Sequence, residues 1–413
     1  YLLESRKYPL MLSVILAPLY VGIIGVLFVG GRLSTFAEIQ PYVLGHPTAI
    51  YLGSRVLVLL SAIFTCVLLA RIAKRLFPGS FSLAPVLLLL SGIFVPVFST
   101  ALRPHIPEVF ATTLALYTSL GLAEKKGTRQ YILAFGSAAF AMSLLQNGIF
   151  AFVFPLCASI TTNGKFDGKH LRNYRPYFFL ATAGLLTLVI SYPFFLNIAL
   201  WKSGGLGIGA GNSAFNDSSF SGGGLLALRS LLIGNETLTT IFALAGSILF
   251  LWRARSMSPM VFSLFLYLAA YTAFFGLNGT TYMRMFMPML PVLALLGTPA
   301  LSRSTAGIVI VSTLAILVNV RLGILALRPD TYSLAQTYLV EKTTGTIASA
   351  VPTLFLDIPP TRASIGTPKT EMEKYVLSLP ADLPSARVIV PIDDIARAQV
   401  GITYSERALT LPP

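Results

Sequence analysis

The segment Leu10–Phe28, LMLSVILAPLYVGIIGVLF, carries no charged side chain over its whole length. A helix crosses the hydrocarbon core of a bilayer with about 20 mainly apolar residues, within a range of about 17–25. The segment is too long for the apolar region of a signal peptide, and it lacks a small-residue cleavage motif. It therefore predicts a retained membrane helix.

The composition of the whole chain agrees with a membrane environment. Of its 413 residues 55% are hydrophobic and only 11% are charged, and the mean hydropathy is +0.76. A soluble domain carries about 25% charged residues, because its surface must be solvated. The net charge of +14 is spread over short clusters between apolar runs, whereas a nucleic-acid-binding domain gathers its basic residues on one face. Nucleic acid is therefore excluded as a partner.

Eleven apolar segments are predicted to cross the membrane: residues 10–29, 49–70, 82–101, 107–123, 130–146, 148–162, 177–197, 236–252, 258–277, 285–301 and 306–324. With the N-terminus in the cytoplasm, the inner segments hold fifteen Lys and Arg residues, and the outer loops among the helices hold five. This bias is typical of multi-pass proteins of a bacterial inner membrane or the endoplasmic reticulum. The odd number of spans then places the C-terminus outside.

The composition changes near residue 328, which divides the chain into a transmembrane domain, 1–327, and an extracytoplasmic segment, 328–413. In the second part, Leu334–Val340 predicts the start of a helix and Ala386–Pro391 predicts a buried strand. The predicted fold is therefore an all-α polytopic membrane bundle with a small C-terminal α/β segment.

Acidic residues are scarce in the membrane region, and four are predicted on its outer side: Glu38, Glu108, Asp217 and Glu236. Glu108 follows Pro107 at a helix start, where an acid complements the helix dipole. Alternatively, it lines a polar pocket at the outer surface together with Arg103 and His105. Glu38 is either a solvated loop residue or, with the nearby His46, part of a group that exchanges protons.

Two arginines are predicted at the outer edge of apolar spans, Arg55 and Arg284. A charge within the membrane is costly, so each should face the bundle or extend to the interface. The guanidinium fork matches phosphate oxygens, which suits a lipid-linked phosphate; simple interfacial anchoring is the alternative. The two cysteines and three histidines lack metal-ligand spacing, so neither a metal nor a cofactor is predicted.

Several motifs, in this order, resemble the GT-C superfamily of membrane glycosyltransferases, which includes protein O-mannosyltransferases and the lipid A aminoarabinose transferase. They are His46-Pro47…Tyr51-Leu-Gly-Ser-Arg55, Leu102-Arg103-Pro104…Pro107-Glu108, Ser191-Tyr192-Pro193-Phe194, Tyr282-Met-Arg284…Pro288-Met-Leu-Pro291 and Ser333-Leu-Ala-Gln. The similarity covers roughly residues 36–345. In one departure, relatives often have Thr-Lys where this chain has Gln146-Asn147.

The resemblance implies a polyprenyl-phosphate sugar donor and an inverting transfer to an acceptor on the outer face. It implies that Glu38 is the general base and that Glu108 occupies a second acidic position. The donor phosphate and substrate would be bound by Arg55, Arg103, His105, Arg284, His46 and Tyr282. Implied partners are the donor, membrane lipid and an acceptor whose identity is open.

Two other functions stay open at this stage. One is a catalytically inactive GT-C-like subunit of a larger membrane complex, which the Gln146-Asn147 departure favours. The other is a transporter, which should place ionisable residues near the middle of the bilayer and break its helices in pairs.

Overall fold

We describe the protein from a computed structural model. It describes residues 11–39, 42, 48–99, 103–162, 165–166, 173–191, 223–252, 257–277 and 283–326, together with three strands at 347–349, 363–364 and 387–389. The chain forms two compact units, Tyr1–Leu322 and Gly323–Pro413. The domain boundary that we predict after residue 327 stays a prediction.

The first unit is helical. Its first half contains α1 (Met11–Val29), α2 (Thr48–Leu76), α3 (Ala84–Ser91), α4 (Phe94–Phe98), α5 (His105–Glu124), α6 (Thr128–Leu144) and α7 (Val153–Ser159). Its second half contains α8 (Tyr174–Ser191), α9 (Gly223–Arg229), α10 (Thr237–Trp252), α11 (Pro259–Leu277), α12 (Leu290–Leu301) and α13 (Thr305–Ala326). Short 3-10 helices cover Phe36–Glu38, Gln146–Phe152 and Met283–Met289, and a π-helix covers Ser230–Asn235.

The few strands are short. In the first unit, β1 (Thr161–Thr162) pairs antiparallel with β2 (Lys165–Phe166). In the second unit, β3 (Ile347–Ser349) lies between β4 (Ala363–Ser364) and β5 (Arg387–Ile389), and both pairings are parallel. Strand β5 lies within the strand that we predict at 386–391. The helix predicted at 334–340 lies outside the described residues, so the α/β character of this unit stays a prediction.

Within the part of the chain that the structure describes, seven helices are long and apolar enough to cross a membrane. An eighth is added if the bent pair Gly224–Asn235 and Thr237–Trp252 is one span. Many of their apolar side chains are exposed, as expected for helices that face lipid. The predicted all-α, multi-span fold is confirmed, and the number of eleven spans stays a prediction.

The structure interrupts the predicted apolar segments at two places. The span predicted at 82–101 consists of α3 and α4, because the backbone of Gly92 is extended (φ −83°, ψ 171°) and ends the first helix. The pair predicted at 130–162 consists of α6, the 3-10 helix Gln146–Phe152 and α7. Here Leu145 is extended (φ −148°, ψ 148°), so the chain turns before the polar residues Gln146 and Asn147. Both interruptions place polar backbone groups inside the bundle.

Helices α10 and α12 are in backbone contact. A Cβ atom added at Gly246 would overlap the carbonyl oxygen of Leu296, and one added at Gly297 would lie 3.1 Å from the backbone of Phe242. Small residues allow this approach, and close packing of this kind stabilises helix pairs in membranes, where the hydrophobic effect contributes little. The pair therefore depends on the absence of side chains at these positions.

We predict that Gly246→Ala destabilises the protein by about 1–3 kcal/mol, because the added methyl group must separate α10 from α12. Thermal unfolding of the detergent-solubilised protein measures the loss. Gly136→Ala on α6 is the matched control, since a Cβ atom there meets nothing within 4 Å. Equal stability of the two variants would contradict the close contact.

Candidate functional site

The start of α5 carries two of the predicted site residues on its buried face. His105 and Glu108 are three residues apart, so their side chains lie on the same side of the helix. His105 is 5% exposed and Glu108 is fully buried. An unpaired carboxylate in an apolar interior is very costly, so the partners of Glu108 decide what it does.

The carboxyl group of Glu108 belongs to a buried hydrogen-bond chain. The Asn147 side-chain amide donates to Glu108 Oε2 (3.2 Å) and to the hydroxyl of Tyr271 (2.6 Å). The Tyr271 hydroxyl in turn donates to the carbonyl oxygen of Met285 (2.5 Å). The chain connects α5, the 3-10 helix Gln146–Phe152, α11 and the 3-10 helix Met283–Met289. Among the described residues, Oε1 of Glu108 has no hydrogen-bond partner.

Two arginines belong to the surroundings of His105. Arg103 lies two residues before it in the chain, and Arg284 belongs to the 3-10 helix Met283–Met289, which packs against α5. Arg284 is half-buried and Arg103 is exposed, so the cluster extends from the interior to the surface. The rings of Phe98, on α4, and His105 pack edge to face, with their centroids 6.1 Å apart. The structure thus brings together Arg103, His105 and Arg284 next to Glu108.

Glu38 is separate from this cluster in the sequence and is exposed. It ends the short helix Phe36–Glu38, and the chain just before it folds back onto its carboxylate. The backbone N–H of Ser34 donates to Oε2 (2.7 Å), and the hydroxyl of Thr35 donates to Oε1 (3.2 Å). These bonds, that of Ser34 above all, hold the pKa of Glu38 below its ordinary value. Its carboxylate is therefore ionised at neutral pH.

Other predicted residues are not part of the observed cluster. Arg55 is exposed on α2, and the described contacts around His105 do not include it. His46 and Tyr282 lie outside the described residues. Glu108, which we predict either at a helix start or in a polar pocket with Arg103 and His105, is fully buried in the first turn of α5. The catalytic and binding roles of all these residues stay predictions.

The sequence did not identify the partners of Glu108. Asn147 is visible in the sequence as a polar residue between two apolar runs, but nothing in that pattern indicates that it contacts Glu108. Tyr271 gave no signal, because tyrosine is common in apolar helices and its partners are distant in the sequence. Among the described residues, no group of three or more His, Cys, Asp and Glu side chains could hold a metal ion.

The comparison with protein families finds one match. Residues 40–194 match the sequence model of the dolichyl-phosphate-mannose-protein mannosyltransferase family. The matched range contains His105, Glu108 and Asn147, and thus half of the hydrogen-bond chain. The match covers less than half of the chain and agrees with the predicted resemblance to GT-C membrane glycosyltransferases.

Among solved structures, the chain is similar to the crystal structure of ArnT from Cupriavidus metallidurans bound to undecaprenyl phosphate. The two share 16% sequence identity with a TM-score of 0.46, over 70% of this chain and 54% of that chain. This chain therefore spans about half the length of that protein. No curated protein matches.

We predict that Asn147→Ala destabilises the protein by about 1–3 kcal/mol, because it leaves the buried carboxyl group of Glu108 without its donor. A double-mutant cycle with Tyr271→Phe should give a coupling energy of about 0.5–3 kcal/mol, since both side chains belong to one chain of bonds. Thermal unfolding measures both. Tyr174→Phe, at a tyrosine that is 74% exposed, is the control and should change little. Additive effects of the two buried substitutions would contradict the network.

Proposed function

We propose that this protein transfers a sugar, mannose or a related hexose, from a polyprenyl-phosphate-linked donor to an acceptor on the outer face of the membrane. The family match over residues 40–194 supports a donor of this class. The observation that carries the proposal is that the 3-10 helix of Arg284 packs against α5, on which His105 and Glu108 are buried one helical turn apart and which Arg103 precedes. The distribution of Lys and Arg between the apolar segments supports the outer face.

The cluster suits an anionic leaving group. When the bond between the sugar C1 and the phosphate oxygen breaks, negative charge develops on the phosphate. Fixed cations lower the energy of that state without having to reorganise. Arg284 is half-buried in the bundle, and Arg103 is exposed at its surface. A lipid phosphate at the membrane edge would therefore have one guanidinium group at the protein surface and one partly inside the bundle. Arginine forks bind phosphate oxygens in pairs.

Glu38 is our candidate for the general base. Its carboxylate is exposed, ionised and oriented by Ser34 and Thr35. In the proposed step it takes the proton of the acceptor hydroxyl while the hydroxyl oxygen attacks C1 and the phosphate leaves, which inverts the configuration at C1. A base of this kind must come within about 2.6–3.2 Å of the hydroxyl. An exposed loop residue can reach such an acceptor.

Glu108 has a different place in the proposal. It remains the second acidic residue of the site, but it is fully buried. Its proposed role is to hold neighbouring elements in place through the hydrogen bonds that join it to Asn147 and Asn147 to Tyr271. A fully buried carboxyl group within a membrane bundle also favours a second candidate function, a transporter, since such residues mark ion pathways. Activity measurements decide between the two.

We predict that Glu38→Gln lowers sugar transfer by about 100-fold or more, because a positioned general base contributes that much. Glu108→Leu should also lower it, since it removes the acceptor of the buried Asn147 amide. The assay follows consumption of a polyprenyl-phosphate donor with labelled mannose, or another labelled hexose, in host membranes that contain the protein. Glu124→Gln, at the exposed opposite end of α5, is the control and should retain activity.

Two results would contradict the proposal in different ways. Undiminished transfer by both the Glu38 and the Glu108 variants would remove these residues from the site. No turnover of any such donor by the wild-type protein would exclude the enzyme, and would favour an inactive subunit of a membrane complex or a transporter.

We predict that Thr35→Val raises the pKa of Glu38, because the carboxylate loses the hydroxyl donor while the Ser34 N–H remains. A base acts only when it is ionised, so the acid limb of kcat/KM should move to higher pH in this variant. Thr35→Ser keeps a hydroxyl and should leave the limb where it is in the wild type. A limb that does not move in Thr35→Val would show that Glu38 is not the base.

A further inference from the structure

Backbone carbonyl groups at the gap between α3 and α4 accept hydrogen bonds from side chains of two other helices. A helix that breaks inside a membrane exposes N–H and C=O groups that only protein can satisfy. The carbonyl oxygen of Leu88 accepts a hydrogen bond from the Thr239 hydroxyl on α10 (2.9 Å). The carbonyl oxygen of Leu90 accepts one from the Asn319 amide on α13 (2.9 Å). The break is thus a built feature of the bundle.

On the other side of the gap, the partner is a carboxylate. The backbone N–H of Phe94, the first residue of α4, donates to Glu236 Oε1 (3.1 Å). Glu236 is 1% exposed. A Cβ atom added at Gly92 would overlap its carboxyl group, so the carboxyl group fills the place that a side chain at 92 would occupy.

Glu236 itself stands at a second break. It separates the π-helix Ser230–Asn235 from α10, and the axes of the two helical segments on either side of it differ by 102°. Glu236 and Thr239, one turn apart at the start of α10, therefore satisfy both sides of the α3–α4 gap. Hydrogen bonds therefore join the start of α10 to the end of α3 and the start of α4. We expect a displacement of α10 to displace α4 as well.

Helix α4 contacts both Glu236 and the candidate site. The rings of Phe94 and Phe98 are stacked, with centroids 5.5 Å apart and an interplanar angle of 18°. The Phe98 ring then meets His105 edge to face at 6.1 Å and 83°. A continuous series of contacts thus runs from Glu236 through α4 to His105.

We propose that Glu236 is a positioning residue of the candidate site. By accepting the hydrogen bond of Phe94 and filling the place beside Gly92, it holds α4 so that Phe98 packs against His105. Its effect on catalysis rests on the proposed function, but its effect on α4 does not. Glu236→Gln keeps the acceptor oxygen and the shape of the side chain, whereas Glu236→Leu keeps the volume and loses the acceptor.

Cysteine labelling tests the restraint on α4 directly. In a Cys66→Ala, Cys157→Ala background, Ser99→Cys reports on the end of α4, and Ser119→Cys on α5 is the matched control. Both serines are buried, at 9% and 0% exposure. With Glu236→Leu, N-ethylmaleimide should label the cysteine at 99 about tenfold faster in the detergent-solubilised protein, because the hydrogen bond that resists local opening is lost. Glu236→Gln should keep the slow rate, and the cysteine at 119 should stay protected throughout.

Two labelling results would overturn the proposal. Equal labelling at 99 in all three proteins would show that Glu236 does not hold α4. Faster labelling at both 99 and 119 in Glu236→Leu would show a general loosening instead of a restraint on one helix.

Donor turnover then tests the consequence for the reaction. Glu236→Leu should lower kcat about tenfold, in parallel with the faster opening of α4. Glu236→Gln should keep the kcat of the wild type. A change in labelling without a change in kcat would overturn the positioning role. If the wild-type protein turns over no donor, the proposed function fails, and the labelling rates still decide whether Glu236 restrains α4.

Discussion

Every backbone N–H and C=O group inside the hydrocarbon layer needs a partner within the protein, and the architecture of this bundle depends on that requirement. Continuous helices meet it by themselves. Where a helix stops inside the bundle, a polar side chain must arrive from elsewhere. Thr239, Asn319 and Glu236 do this at the gap between α3 and α4. Polar side chains from two other helices are therefore a structural requirement of this gap.

The same requirement explains why the candidate site lies at helix ends. The extended backbone at Leu145 ends α6 and starts the short helix that carries Asn147. Asn147 then reaches Glu108 on α5 and Tyr271 on α11, and Tyr271 reaches the carbonyl oxygen of Met285. Hydrogen bonds thereby join four elements: α5, the 3-10 helix Gln146–Phe152, α11 and the 3-10 helix Met283–Met289. A cluster that binds phosphate needs such fixed surroundings, because arginines that move freely lose much of their effect on a developing charge.

Sequence patterns predicted the features that depend on composition along the chain. A long apolar run such as Leu10–Phe28 can only be a span, and residues 11–29 form one helix. The grouping of Arg103, His105 and Glu108 followed from their closeness in the sequence. The break at Gly92 was not predictable, since its neighbours are as apolar as those of an unbroken helix. The Glu236 side chain that occupies the break is 142 residues from Phe94 in the sequence. Contacts over such separations leave no local pattern.

The two carboxylates that led the sequence analysis occupy opposite environments, and this difference assigns them different tasks. Glu38 is exposed, and the hydrogen bonds that the described residues give it come from its own short loop, so its charge is available to a hydroxyl group that approaches from outside. Glu108 is fully buried and accepts a hydrogen bond from Asn147, which belongs to another element. A base must exchange its proton with a substrate, whereas a residue that fixes a scaffold must not. On physical grounds, the exposed carboxylate is therefore the better candidate for the reaction, and the buried one is suited to hold the cluster in place.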